Sequence, residues 1–140
     1  IERMQIGTPP IIANAALSAA LDIWEHASMK DIRRQSMVLT ELFIEKIEES
    51  CPMIELASPR NKVLRGSHIA YRFKNGYAVV QALISRGVVG DFRAPDLMRF
   101  GICPLFIDEA DVHRAAEILI EIMKKRIWDN PKYHKTAFVT

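Results

Sequence analysis

A chain of 140 residues, 49% hydrophobic and 26% charged, is long enough to bury one continuous core and is expected to fold as a single domain over 1–140. Nineteen lysines and arginines against seventeen aspartates and glutamates leave a net charge of +2, far short of the excess that phosphate-backbone contacts need, so no nucleic-acid partner is expected. No stretch approaches the roughly 18 uninterrupted apolar residues of a membrane span, and no secretion signal opens the chain, which predicts a cytoplasmic protein without a membrane partner.

Helical periodicity begins at Pro9 and runs to His26, with Ile12, Ala16, Ala19, Ile23 and Trp24 on one face and Thr8 as the expected N-cap. A second helix, Met29 to Ser50, starts from Ser28 with Asp31 in the first turn. It is expected to bury Ile32, Leu39, Leu42, Phe43 and Ile47 and to stop at Cys51-Pro52. Met53 to Ala57 and Ser67 to Phe73 read as strands, the latter because Ile69, Tyr71 and Phe73 alternate with Ala70 and Arg72. Asn75-Gly76 turns the chain into a short helix, Tyr77 to Arg86, closed by Gly87. Val88 to Phe92 and Leu97 to Gly101 form two more strands around a turn containing Pro95. Asp108, followed by Asp111, opens a last helix whose Val112, Ala116, Leu119 and Met123 face inward, and the tail after Pro131 is expected to be irregular. This order predicts an α+β, two-layer domain: a small, mostly antiparallel sheet covered by helices on one face.

The chemistry-bearing residues are sparse. Cys51 and Cys103 are the only cysteines and do not form a metal or redox pair, so reduced thiols are expected. His26, His68, His113 and His134 are scattered; solvated or capping roles suit most of them, and His68, at the start of a strand, is the one that could face a site. Lys124-Lys125-Arg126 ends a helix, where cations complement the dipole. No metal-ligand spacing, glycine-rich phosphate loop or nucleophile–base pair stands out.

Two places carry more weight. In Gly7-Thr8-Pro9-Pro10 a glycine and a hydroxyl precede a helix, whose N-terminus attracts anions. Pro9 and Pro10 lack N–H groups, so the Thr8 hydroxyl would supply much of any direct bond to a phosphate, unless it simply caps the helix. In the second, Arg99 sits between Met98 and Phe100 in an apolar strand, where an unpaired charge is expensive. Its partner is either an internal Asp or Glu or a ligand carboxylate gripped in the bidentate manner open to guanidinium.

Around these motifs the chain resembles kynureninase. Gly7-Thr8-Pro9-Pro10, Arg65-Gly66-Ser67-His68, Gly76-Tyr77-Ala78-Val79, Arg86-Gly87-Val88-Val89-Gly90-Asp91 and Arg99-Phe100-Gly101 with Pro104-Leu105 occur in that family's order and approximate spacing. The resemblance implies the C-terminal small domain of a fold-type I, aspartate-aminotransferase-like enzyme that uses pyridoxal 5'-phosphate. Such enzymes of tryptophan catabolism and NAD biosynthesis hydrolyse L-kynurenine or 3-hydroxykynurenine to an anthranilate and L-alanine. Carried over by position, Thr8 would bind the cofactor phosphate from the neighbouring subunit of a homodimer, and Arg99 would grip the α-carboxylate of the amino-acid substrate. Gly7 would lie near its aromatic end, and Arg93 would be structural. Phe106 departs from the tyrosine common after Pro-Leu, which removes any hydroxyl contribution there. No lysine here lies in the family's Schiff-base motif, so no catalytic residue is expected in this chain and the fragment alone is expected to be inactive. The opening on Ile1 likewise suggests an excised piece.

Two other readings remain. A different enzyme of the same fold type, an aminotransferase or a cysteine desulfurase, could share the carboxylate-binding arginine, although neither Cys51 nor Cys103 falls where a desulfurase's mobile-loop cysteine is expected. A non-catalytic remnant could instead dimerise through the surface a large domain would cover, exposing an apolar patch above about 600 Å².

Overall fold

The computed structural model describes residues 7–134. Four strands form one antiparallel sheet in the order β1-β2-β4-β3, with β1 at Glu55–Leu56, β2 at His68–Arg72, β3 at Asp91–Arg93 and β4 at Leu97–Gly101. The helices α1 (Ile11–Leu21), α2 (Met29–Ser50), α3 (Gly76–Ile84) and α4 (Glu109–Lys124) complete the predicted α+β arrangement.

Helices α2 and α4 begin where local chemistry specifies. The Ser28 side chain accepts from the Asp31 N–H at 3.4 Å. At α4, Asp108 and Asp111 form a reciprocal capping box, each side chain accepting from the other's backbone N–H at 2.9 and 3.2 Å. Two free N–H groups are satisfied at each such box, which offsets the cost of starting a helix.

The core lies between the sheet and α2, α3 and α4. Leu39, Phe43, Ile44 and Ile47 of α2 meet Ile69 and Tyr71 of β2, Met98 and Phe100 of β4, and Val112, Ala116, Leu119 and Ile122 of α4. Each large side chain so buried contributes on the order of 2 kcal/mol. The Phe43 ring centroid stands 5.3 Å from Phe100 and 6.4 Å from Tyr71. Ile32 and Leu42, expected in the core, are half-buried at its margin, and Ser36 and Thr40 take buried positions instead.

Strand lengths depart from the sequence reading. β1 is limited to Glu55 and Leu56, and β3 begins at Asp91 because only Asp91–Arg93 have partners on β4; Val88 and Val89 lead out of α3. Gly87, at φ +82°, turns the chain away from α3 in the left-handed conformation expected of a closing glycine. A cis Ala94–Pro95 bond lies in the turn between β3 and β4.

The tail is more ordered than expected. Single 3-10 turns at Ile127–Asp129 and Pro131–Tyr133 bury Trp128 against Phe73, and the Tyr133 hydroxyl lies 3.0 Å from Ser85 Oγ. The last part of the expected irregular tail, 135–140, lies outside the described residues.

The first helix corrects the expectation most. Its N-cap is Pro10, with no side-chain cap hydrogen bond, so Thr8 does not cap it. Two prolines separate Thr8 from Ile11, and that spacing carries its hydroxyl away from the first helical N–H groups. The helix ends at Leu21 and passes into a 3-10 segment, Asp22–His26, and every residue from Gly7 to His26 is exposed. The alanine-rich face therefore packs against none of this domain's core.

Candidate functional site

The sheet is closed on one face and open on the other. Alternation sends Ile69, Tyr71, Met98 and Phe100 into the core, and His68, Ala70, Arg72, Leu97 and Arg99 to the open side. Arg99 thus reconciles an apolar strand with a charge: its neighbours Met98 and Phe100 are buried, while its own side chain remains 34% exposed.

The ladder register surrounds Arg99 with distinct neighbours. Ala70 of β2, itself buried, is its partner on one side. Asp91 of β3 is its partner on the other. Asp91 Oδ2 accepts from Arg99 Nε at 2.9 Å and also from Arg99 Nη2, so a single carboxylate oxygen engages the side edge of the guanidinium. Arg93 Nε donates to the same oxygen at 3.2 Å. The hydrogen bond from Arg99, opposed only in part by desolvation and aided by the charge of Arg93, holds the Asp91 carboxyl below its ordinary value. Two guanidiniums on one carboxylate leave the cluster with a net positive charge of about one at neutral pH. Nearby, Arg72 pairs with Asp96 at 3.0 Å.

The choice left open by the sequence therefore has a definite answer within the domain: an internal carboxylate, Asp91, partners Arg99. It occupies only one edge. Among the described residues no hydrogen bond uses Arg99 Nη1, so the fork made by Nη1 and Nη2 remains available to an incoming carboxylate. Arg93, expected to be structural, pairs with Asp91 at 3.2 Å. Asp91 was visible in the motif but carried no assignment, because its contact with Arg99 depends on the β3–β4 register.

Thr8 and Gly7 stand on the exposed stretch ahead of α1. The Thr8 side chain makes no cap hydrogen bond to the helix, and a Cβ added at Gly7 would meet nothing within 4 Å. No hydrogen bond or ion pair joins Thr8 to Arg99 among the described residues. His68 is exposed on the open side of the sheet, and Phe106 is exposed beyond β4. Cys51 is buried, and burial raises its thiol pKa, which makes it a poor nucleophile.

A cavity of about 470 Å³ lies on the other side of β4, between Phe43, Val88, Phe100, Ile107 and Val112, and its lining does not include Arg99. Among the described residues no group of three or more His, Cys, Asp or Glu could hold a metal ion, and no helix is long and apolar enough to cross a membrane.

Among the described residues, this α+β domain displays on one sheet face an arginine braced from the side by Asp91, with no hydrogen bond at its Nη1. Comparison with known proteins places the domain in a family. The family model described as the kynureninase C-terminal domain matches residues 32–119, and the chain belongs to that family. It is 42% identical over its whole length to a kynureninase from Pseudomonas fluorescens and 38% identical to kynureninases from Burkholderia mallei (strain SAVP1) and Burkholderia pseudomallei (strain 1106a). The chain spans 34% of the length of each of these relatives.

Proposed function

We propose that this chain is the small domain of a pyridoxal-phosphate enzyme that hydrolyses L-kynurenine or 3-hydroxykynurenine to an anthranilate and L-alanine. The observation that carries this reading is the Arg99 fork on the open sheet face, with Asp91 confined to its side edge. A fork of this kind matches a carboxylate in two parallel hydrogen bonds and fixes an amino acid in one orientation. The chain's relatives, being kynureninases, supply the substrate class.

Thr8 fits the cofactor's phosphate because its hydroxyl is not spent on capping α1 and it is exposed to a partner. In this reading it reaches the phosphate across a homodimer interface, and Gly7 lies near the aromatic end of the substrate. When bound, pyridoxal 5'-phosphate supplies the electron sink for the cleavage. The Schiff-base lysine belongs to the large domain in this reading, and the residues of this chain bind and orient.

Apolar side chains are exposed at two places that such a large domain would cover in this reading. The Ser36–Ser67 hydrogen bond, 2.8 Å long, and the Arg33 bonds to the Lys62 and Val63 carbonyls join the start of α2 to the loop before β2. Val63 and Leu64 are exposed at the tip of that loop, and Ile11, Ile12, Leu17, Leu21 and Ile23 are exposed ahead of α2. A helix apolar nearly all round is ordinarily buried, so α1 is best read as packing on the rest of the enzyme. The same exposure would suit a dimerising remnant, the second reading. The assigned pathway, tryptophan catabolism and NAD biosynthesis, and the cytoplasmic setting belong to the enzyme reading.

Kynurenine hydrolysis by the complete gene product, supplied with pyridoxal phosphate, tests the proposal. Activity is expected in the complete product and not in the 140-residue fragment, and Arg99→Ala is expected to lower kcat/KM about 100-fold, the scale of a mispositioned substrate. A complete product inactive on both kynurenines would overturn it.

A further inference from the structure

We infer that Asp91 is a positioning residue for carboxylate recognition: it grips the side edge of Arg99 so that the Nη1–Nη2 fork faces outward, pre-set for the ligand. This rests on the reading of Arg99 as the carboxylate-binding group and adds a residue to which that reading gives no role.

Three features support it. The contact is directed: Asp91 Oδ2 accepts from Nε and Nη2, the two donors on one edge, and among the described residues no hydrogen bond uses Nη1. An aspartate placed merely to neutralise Arg99 would compete with a ligand for the fork, whereas one held on the side does not. The contact is also built into the sheet, because Asp91 and Arg99 are Cα partners in the β3–β4 ladder and the register fixes their approach. Finally, Arg93 shares the same oxygen, so the Asp91 charge is divided between two guanidiniums and the Arg99 fork keeps its attraction for one anion. A long side chain held in one orientation before binding loses less rotamer freedom when the ligand arrives, which is how a second residue raises affinity without touching the ligand.

The test uses equilibrium binding of two probes to the complete, cofactor-loaded gene product by titration calorimetry: L-alanine, which carries the carboxylate, and L-alaninamide, which does not. Asp91→Asn keeps the shape and an acceptor oxygen but removes the charge. It is expected to weaken L-alanine binding about tenfold, the scale of coupling between contacting charged groups, while leaving L-alaninamide within about twofold. In an Arg99→Ala background the same substitution is expected to change neither. The ratio of the two affinities is insensitive to the fraction of protein folded, and Asp91→Ala read by the same ratio serves as a second variant. Equal losses for both ligands, or an unchanged ratio in Asp91→Asn where Arg99→Ala collapses it, would overturn the role of Asp91 alone. An unchanged ratio in Arg99→Ala would overturn the carboxylate reading of Arg99, and this inference with it.

Discussion

Glu41 and Arg65 are joined by a 2.8 Å ion pair in which the arginine side chain is only 1% exposed and the glutamate 23%. Arg65 also donates to the carbonyls of Pro59 and Arg60 and to the Thr40 hydroxyl, so one guanidinium fastens the loop before β2 onto α2. Glu41→Gln removes the balancing charge while Arg65 stays buried. A loss of about 2 kcal/mol is expected in urea unfolding, the range for a hydrogen bond to a charged group that loses its partner. A variant as stable as the parent would mean that the backbone carbonyls alone satisfy Arg65.

The same pair sets an acid dependence. Burial alone would raise the Glu41 carboxyl, but hydrogen bonds from Arg60 and Arg65 outweigh it, and its pKa lies below the ordinary value. A carboxylate whose folded pKa is depressed contributes stability that is present above its unfolded value and is lost as pH falls through the folded one. Stability should therefore drop as the pH falls below about 4.5, the ordinary value for this group. Glu41→Gln should show a shallower decline over that window. Parallel unfolding curves for the two proteins at successive pH values would contradict this.

Gly76 opens α3 against the sheet with almost no clearance. A Cβ there would lie 2.9 Å from Met98 Cγ, 3.2 Å from the Phe92 ring and 3.3 Å from the Asp96 carbonyl. Gly76→Ala is expected to destabilise by about 1–3 kcal/mol through overpacking, despite the better helix propensity of alanine. A thermal midpoint at or above that of the parent would show that Met98 yields freely.

Which features were legible follows from how local their causes are. Helices α2 and α4 begin at Ser28 and Asp108, whose caps are made within one turn, and both could be read directly. Strands β1 and β3 were read too long because the end of an edge strand is set by which residues pair with its neighbour: β4 runs on to Gly101, but Val88, Val89 and Gly90 do not pair with it and β3 starts only at Asp91. Asp91 escaped assignment for the same reason, since its position opposite Arg99 is a matter of register and not of sequence spacing. Thr8 was misread as a cap because the prolines that follow it stand outside the helix. The first helix was read through to His26 with one inward face; the observed α1 ends at Leu21, and none of its residues meets the core of this domain.

Because no residue from Gly7 to His26 is buried, removing this segment should leave the core intact, and surface changes of this sort alter stability by no more than about 0.5 kcal/mol. The fragment shortened to begin at Ala27 should therefore melt within about 2 °C of the longer one, and should associate less in sedimentation, having shed Ile11, Ile12, Leu17, Leu21, Ile23 and Trp24. The two tryptophans permit a finer reading, since Trp24 is 41% exposed and Trp128 is 8% exposed. In the longer fragment acrylamide should quench one of two fluorescence components readily; in the complete gene product, where α1 is proposed to pack on the rest of the enzyme, both should resist. Trp24 that stays equally quenchable in the complete product would mean that α1 does not pack on the rest of the enzyme, and its apolar surface would then have to serve association between copies.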